Sequence, residues 1–263
     1  MESMEKIIKE KLSEIEQKEN VRIIYAVESG SRAWCFASPD SDYDVRFIYV
    51  RQPRDYLRID EISDVIEWQL DEVYDINGWD LKKFLYLLHK SNQTAFEWAQ
   101  SPIVYRNTEE WQKILPILCS HCDYFNPKGA MFHYLKLAEN NNKHLNVETV
   151  KLKKYFYVLR PLLACRWIED RRTPPPILFS ELTEGYLPAD LTDKVNSLLI
   201  LKENAPEKGE IPRVEALGEY IKNELCELKS SAENMPPREK GSMEQLNKIF
   251  YEIVTGITGS QET

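Results

Sequence analysis

The sequence predicts an α+β protein, with a strand-bearing N-terminal domain over residues 1–126 and a helical C-terminal domain over 127–263. Three observations predict it. Short runs rich in branched and aromatic residues, VRIIYAV, DVRFIYV and ISDVIEWQLDEVYDI, all fall before Asp80. From Asp80 onward apolar residues recur at helical spacing. The turn signal Asn126-Pro127 then marks a boundary between a mixed first part and a helical remainder.

Size and composition support a packed globular chain. At 263 residues and 30.9 kDa it can bury a large core, and 43% hydrophobic with 29% charged residues excludes a disordered or membrane class. No apolar run approaches the roughly 20 residues of a membrane span. The N-terminus, MESMEKIIKEKLSEIEQKEN, is charged and lacks an apolar core and a cleavage site, so no export and no membrane partner are expected. Five cysteines without a secretion signal fit a reducing, cytoplasmic setting. The pair in CSHC, Cys119 and Cys122, has no second ligand pair and is read as helix-end packing rather than zinc.

Taken in order, Ile7, Ile8, Leu12 and Ile15 line one face of a helix over residues 1–19. VRIIYAV, Val21 to Val27, is a strand. Gly30 and SRAWCFAS form a turn and short helix, closed by SPDSD. Asp44 to Val50 is the next strand, followed by a charged connector over 51–60. Residues 62–76 read as two short strands or one bent pair, with Asn77-Gly78 as punctuation after them. Asp80 sits where an N-cap belongs, ahead of DLKKFLYLLHKS. Helices are predicted over TAFEWAQ, 109–120, 129–144, 147–170, 190–203, 212–229 and 240–256, with loops at PPP (174–176) and over 230–241.

The chemistry-bearing stretch is ESGSRAWCFASPDSDYDVRFIYV, residues 28–50. Asp42 and Asp44 are two apart, and strand alternation puts them on one face. Adjacent like charges are unfavourable unless a cation neutralises them. Arg46, on the same face, is one candidate; a divalent ion is the better one, since Mg²⁺ takes one or two carboxylates together with phosphate oxygens and water. Decoration of a strand entry by turn-forming acids is the plain alternative. Gly30 and Ser31 favour the chemical reading, because Gly30 permits close backbone approach and Ser31 offers a hydroxyl and an N–H to phosphate.

GSRAWCFASPDSDYDVRFIYV resembles the DNA polymerase β-like nucleotidyltransferase superfamily, whose signature is Gly-Ser, a spacer and Asp-x-Asp. More narrowly, SDYDVRFIY, DINGWDLKKFLYLL, SPIVY and KKYFYVLRPLLACRWIE resemble the YcgL/RlaP group of nucleotidyltransferases, some associated with RNA ligases. The likeness covers most of residues 21–180. It implies a small mixed sheet flanked by helices, then a helical domain, and Mg²⁺ or Mn²⁺ with a nucleoside triphosphate as substrate. One residue departs from the pattern: Cys35 stands where a second glycine is expected, a difference that bears on nucleotide binding if the position needs a positive φ.

The resemblance also implies site roles. Asp42, Asp44 and a third acid would hold metal, and Gly30, Ser31 and Arg32 the β- and γ-phosphates; Arg32 is equally readable as an ion-paired surface residue. Asp75 is the choice for the third acid, with Asp80, explicable as an N-cap, as its rival and Asp71 and Glu72 behind. In the helical domain, Lys151, Lys154, Arg160, Arg166 and Arg171 form a basic stripe, with a solvated face as the alternative; Lys154, Arg160 and His133 enter the candidate nucleotide site. The net charge of −9 and pI near 5.2 argue against a general nucleic-acid binder but leave such a stripe open. The expected activity is transfer of a nucleoside monophosphate to an acceptor hydroxyl, with RNA as the leading acceptor and partner. A small-molecule or protein acceptor, and a non-catalytic nucleotide-binding relative, are the alternatives.

Overall fold

The computed structural model describes residues 3–118, 123–204 and 209–256; the CSHC motif lies outside the described residues. The chain divides into two compact units. One takes Met1–Gly30, Asp42–Tyr124 and Lys240–Thr263 where described, the other Ser31–Ser41 and Phe125–Glu239. The division is therefore not a single cut near Asn126-Pro127: Ser31–Ser41 belongs with the helical unit, while Gly30 and the last helix belong with the sheet.

The elements of the first unit run α1 (Met4–Glu19), β1 (Arg22–Glu28), α2 (a single turn, Gly30–Ala33, straddling the division), β2 (Tyr43–Val50), β3 (Val65–Leu70), β4 (Tyr74–Asp80), α3 (Leu81–His89), α4 (Gln93–Ala99), β5 (Val104–Asn107) and α5 (Glu109–Ile114). Among the described residues the sheet has five strands in the order β3-β4-β2-β1-β5. It is mixed: β2 and β4 pair parallel, and the other neighbours antiparallel.

β1 reads as a near-continuous apolar run because it is covered on both faces, every residue after Arg22 being buried. On one face Ile8, Leu12 and Ile15 of α1 pack with Ile23, Val45, Phe47, Tyr49 and Ile76. On the other Tyr25 stacks on Trp111 of α5 at 3.9 Å, and Phe84 of α3 meets the same ring at 5.4 Å.

Asn77-Gly78 lies inside β4 and does not punctuate the chain. Phe47 is the register partner of Gly78, and a Cβ on Gly78 would sit 2.2 Å from the Phe47 ring. The glycine is there to admit that ring rather than to turn the chain. Asp80 is the N-cap of α3, accepting from the Lys82 N–H at 2.8 Å.

In the second unit come α6 (Pro127–Asn142), β6 (Thr149–Lys151), α7 (Lys153–Arg171), α8 (Phe179–Tyr186), α9 (Ala189–Asn204), β7 (Glu210–Pro212) and α10 (Glu215–Asn234); α11 (Met243–Thr255) returns to the first unit, packing on α3 and α5. The expectation of helix alone after residue 129 is corrected by the β6–β7 ladder, which pairs Val150 with Ile211. Such three-residue strands carry too little alternation to read from sequence. α8 was also not foreseen, and α10 continues to Asn234, into the stretch read as a loop from 230. Phe36 of the loop segment packs on Phe156 and Phe179 at 5.3 and 5.4 Å.

Among the described residues, no helix is long and apolar enough to cross a membrane.

Candidate active site

The parallel pairing of β2 with β4 brings the candidate acids together. Its register sets Asp44 opposite Asp75 and Arg46 opposite Asn77. Val45, Phe47 and Ile76 face α1, so alternation turns Asp44, Arg46, Asp75 and Asn77 to the other face. There Arg46 Nη2 donates to Asp44 Oδ1 at 3.1 Å and to Asp75 Oδ2 at 2.6 Å. Its Nη1 donates to the main-chain oxygens of Asp75 (2.6 Å) and Val45 (3.2 Å). Asn77 Nδ2 donates to Asp75 Oδ1 at 3.3 Å. Asp75 is thus a strand acid, not an Asx-turn acid before a turn.

Asp44 is held from behind by Glu28, a fully buried residue at the end of β1. Glu28 Oε1 accepts the Asp44 N–H at 2.7 Å and Oε2 accepts the Tyr105 hydroxyl. Its carbonyl oxygen accepts the Ser101 hydroxyl at 2.5 Å, and the Asp44 carbonyl accepts the Ser29 N–H at 2.8 Å. Sequence reasoning missed Glu28. The available signal was an acid closing an apolar run directly before Ser29-Gly30, where only a hydrogen-bonded carboxylate is tolerable.

Gly30 adopts φ +59, and a Cβ there would lie 2.0 Å from Asp44 Oδ2. Both the left-handed conformation and the close approach require glycine. The Gly30 backbone and the Asp44 carboxylate are therefore in van der Waals contact. Asp42 is half-buried, one residue before β2 begins. Asp80, on the same strand as Asp75, is buried and accepts the Tyr56 hydroxyl at 2.9 Å. Burial pushes its carboxyl above the usual aspartate range, against the opposing hydrogen bonds from Lys82 N–H and Tyr56. Asp80, the rival for the third acid, is thus engaged as the cap of α3.

The remaining candidates lie in the second unit. Ser31 is buried, and Arg32 Nη2 donates to the Ser41 carbonyl at 2.5 Å, closing the loop on itself. Cys35 has φ +61, the left-handed conformation in which a glycine would be unstrained. On α7 the expected basic stripe is not a solvated face at Arg160, which is buried with its guanidinium 4.4 Å over the Trp34 ring. Arg166 makes a bidentate pair with Glu224 at 2.7 and 2.6 Å and also reaches Glu227 and Glu169. The paired Glu224 holds its guanidinium well above the usual arginine value. Lys154 donates to Asn141 Oδ1 at 3.0 Å, and burial with Lys153 and Lys151 nearby lowers its pKa. His133 is exposed on α6, its ring edge-on to Tyr134 at 5.3 Å.

Asp44 and Asp75 supply hard oxygen donors side by side, and the Gly30 backbone lies directly against the Asp44 carboxylate. Among the described residues, no three His, Cys, Asp or Glu side chains are grouped as a metal cage. Two strand carboxylates still fit Mg²⁺ or Mn²⁺ bound together with a nucleotide, where phosphate oxygens and water complete the shell. They do not fit a structural site built from protein ligands alone.

Residues 4–252 match the family described as "RlaP: RNA repair pathway DNA polymerase beta family". The chain belongs to this family. It is also 39% identical, over 257 residues covering 95% of this chain and 96% of the relative, to a Bacillus subtilis (strain 168) protein named "Uncharacterized protein YcgL". The mixed sheet flanked by helices is the architecture expected of a polymerase β-like member, and the acids and Gly30 lie on the segment that carried the resemblance.

Proposed function

We propose that the protein is a divalent-metal-dependent nucleotidyltransferase that moves a nucleoside monophosphate from an NTP to an acceptor hydroxyl, with an RNA end as the acceptor. The observation that carries this is the Asp44–Asp75 pair, in register on parallel strands against the left-handed Gly30. The RNA acceptor rests on the family's description as an RNA repair pathway family.

Asp44 and Asp75, joined by Asp42, would hold the cation. When bound, the cation would polarise the α-phosphate and offset the charge that develops on it. Asp75, the acid more open to solvent, takes the proton of the attacking hydroxyl on its carboxylate. The acceptor oxygen forms a bond to the α-phosphorus as the bond to the bridging oxygen of pyrophosphate breaks. Gly30 admits the triphosphate close to Asp44, and Ser31 and Arg32, next along the chain, are assigned to its outer phosphates. Glu28 keeps the Asp44 main chain in place while charge moves.

The test uses each NTP labelled on the α-phosphate, with Mg²⁺ or Mn²⁺ and with RNA or a cell extract as acceptor. Label is expected on RNA, falling by about a thousandfold or more in Asp44→Asn and Asp75→Asn. Label on protein or a small molecule would replace the RNA acceptor. Full activity in both variants would overturn the assignment of the acids.

A further inference from the structure

We propose that Arg46 is a built-in counter-ion of the Asp44–Asp75 pair that a divalent cation must displace from Asp44 in order to bind, so that this residue sets the cation affinity of the site. The proposal rests on the metal reading given above and goes beyond it.

One guanidinium nitrogen, Nη2, contacts both carboxylates, at 3.1 Å to Asp44 and 2.6 Å to Asp75. The contacts are sheltered, with the Arg46 side chain 14% exposed. A cation that ligates Asp44 Oδ1 competes for the lone pairs that Nη2 already uses, and it brings a like charge to contact distance. The two therefore exclude each other at Asp44.

Arg46 would not leave the site. Nη1 is fixed by the main-chain oxygens of Asp75 and Val45, which no cation at the carboxylates disturbs. The shorter bond to Asp75 can also persist while the longer one to Asp44 gives way. The residue is thus built to hold two acids together without metal and to surrender one of them. An equilibrium of this kind lowers the apparent affinity by the fraction of molecules in which Arg46 has let go of Asp44. It also limits binding by the cation alone and favours entry of cation and triphosphate together, since phosphate oxygens supply the ligands that two carboxylates lack.

The experiment is a Mn²⁺ titration of the full chain, reading free Mn²⁺ by electron paramagnetic resonance, beside thermal melts with and without Mn²⁺. Arg46→Gln is expected to bind Mn²⁺ about tenfold tighter than wild type, a gain of about 1.4 kcal/mol. It should melt lower than wild type without Mn²⁺ and recover most of that loss with it. Arg46→Lys, which keeps a charge but cannot span both acids, should fold and bind about threefold tighter. A purely structural clasp would lower the melting temperature and leave the affinity unchanged. Unchanged or weaker binding in both Arg46 variants, with binding lost in Asp44→Asn, overturns the counter-ion and leaves the metal reading standing. Binding that Asp44→Asn does not weaken, or no binding in any form, overturns the metal reading and the counter-ion with it.

Discussion

On β2 and β4, charges from two strands some thirty positions apart in sequence meet one another. Asp44, Arg46 and Asp75 come together because a strand alternates with a period of two and a parallel ladder fixes the register between strands. On α7, charges that do lie close in sequence go separate ways: Lys154 to Asn141, Arg160 to the face of Trp34, Arg166 to Glu224 and Glu227 on α10, Arg171 to Asp170. A helix spreads its side chains around an axis, so each finds whatever the neighbouring element presents. A cluster of like charge in a helical stretch is therefore weak evidence for a shared ligand.

The largest effect that would test this contrast lies on α7. Arg166→Ala leaves Glu224, whose side chain is 10% exposed, without its bidentate partner. A loss of about 2 kcal/mol in urea denaturation is expected, with RNA affinity unchanged. A loss under about 0.5 kcal/mol together with weaker, less salt-dependent RNA binding would restore α7 as a nucleic-acid surface.

The same contrast explains how much could be read in advance. The strands, the shared face of Asp44 and Arg46 and the Asp80 cap were legible because each depends on spacing of a few residues. Glu28 was not, since its partners Tyr105 and Ser101 lie more than seventy positions away. Gly78 was misread for a related reason. Asn-Gly is a strong turn signal, but the ring of Phe47 on the adjacent strand overrides it. On α7 the helix was legible and the fate of the arginines was not, because Glu224 and Trp34 belong to distant segments. The β6–β7 ladder pairs residues some sixty positions apart, with no local signature at either strand.

Cys35 sharpens the comparison at the loop itself. Its φ of +61 is a local requirement that the sequence announced as a departure from the glycine pattern. Cys35→Gly should raise stability by about 1 kcal/mol, measured by denaturant melts, because glycine carries no left-handed strain. Cys35→Ala, which keeps a Cβ in the same conformation, should gain nothing. Equal gains in both variants would mean that the thiol, rather than the backbone, is the source of the cost.

The smallest effect separates two acids on one strand. Asp75 and Asp80 are five residues apart on β4, yet one pairs with Arg46 and the other is buried as a helix cap. Burial raises the Asp80 carboxyl in the folded state above its unfolded value. The folded protein therefore holds that proton more tightly, and wild type gains stability as the pH falls through the raised value. Above it the charged form carries the cost in full; below the unfolded value no further gain accrues. Asp80→Asn keeps a capping oxygen but has no proton to take up. The stability of wild type relative to this variant should thus rise by a fraction of a kcal/mol between neutral pH and about pH 4, read from melting temperatures at matched ionic strength. The variant should also retain the proposed transfer activity, since Asp80 caps the helix and the proposed chemistry lies at Asp75. A relative stability that falls with acidification, or transfer lost in Asp80→Asn but kept in Asp75→Asn, would exchange the roles of the two acids.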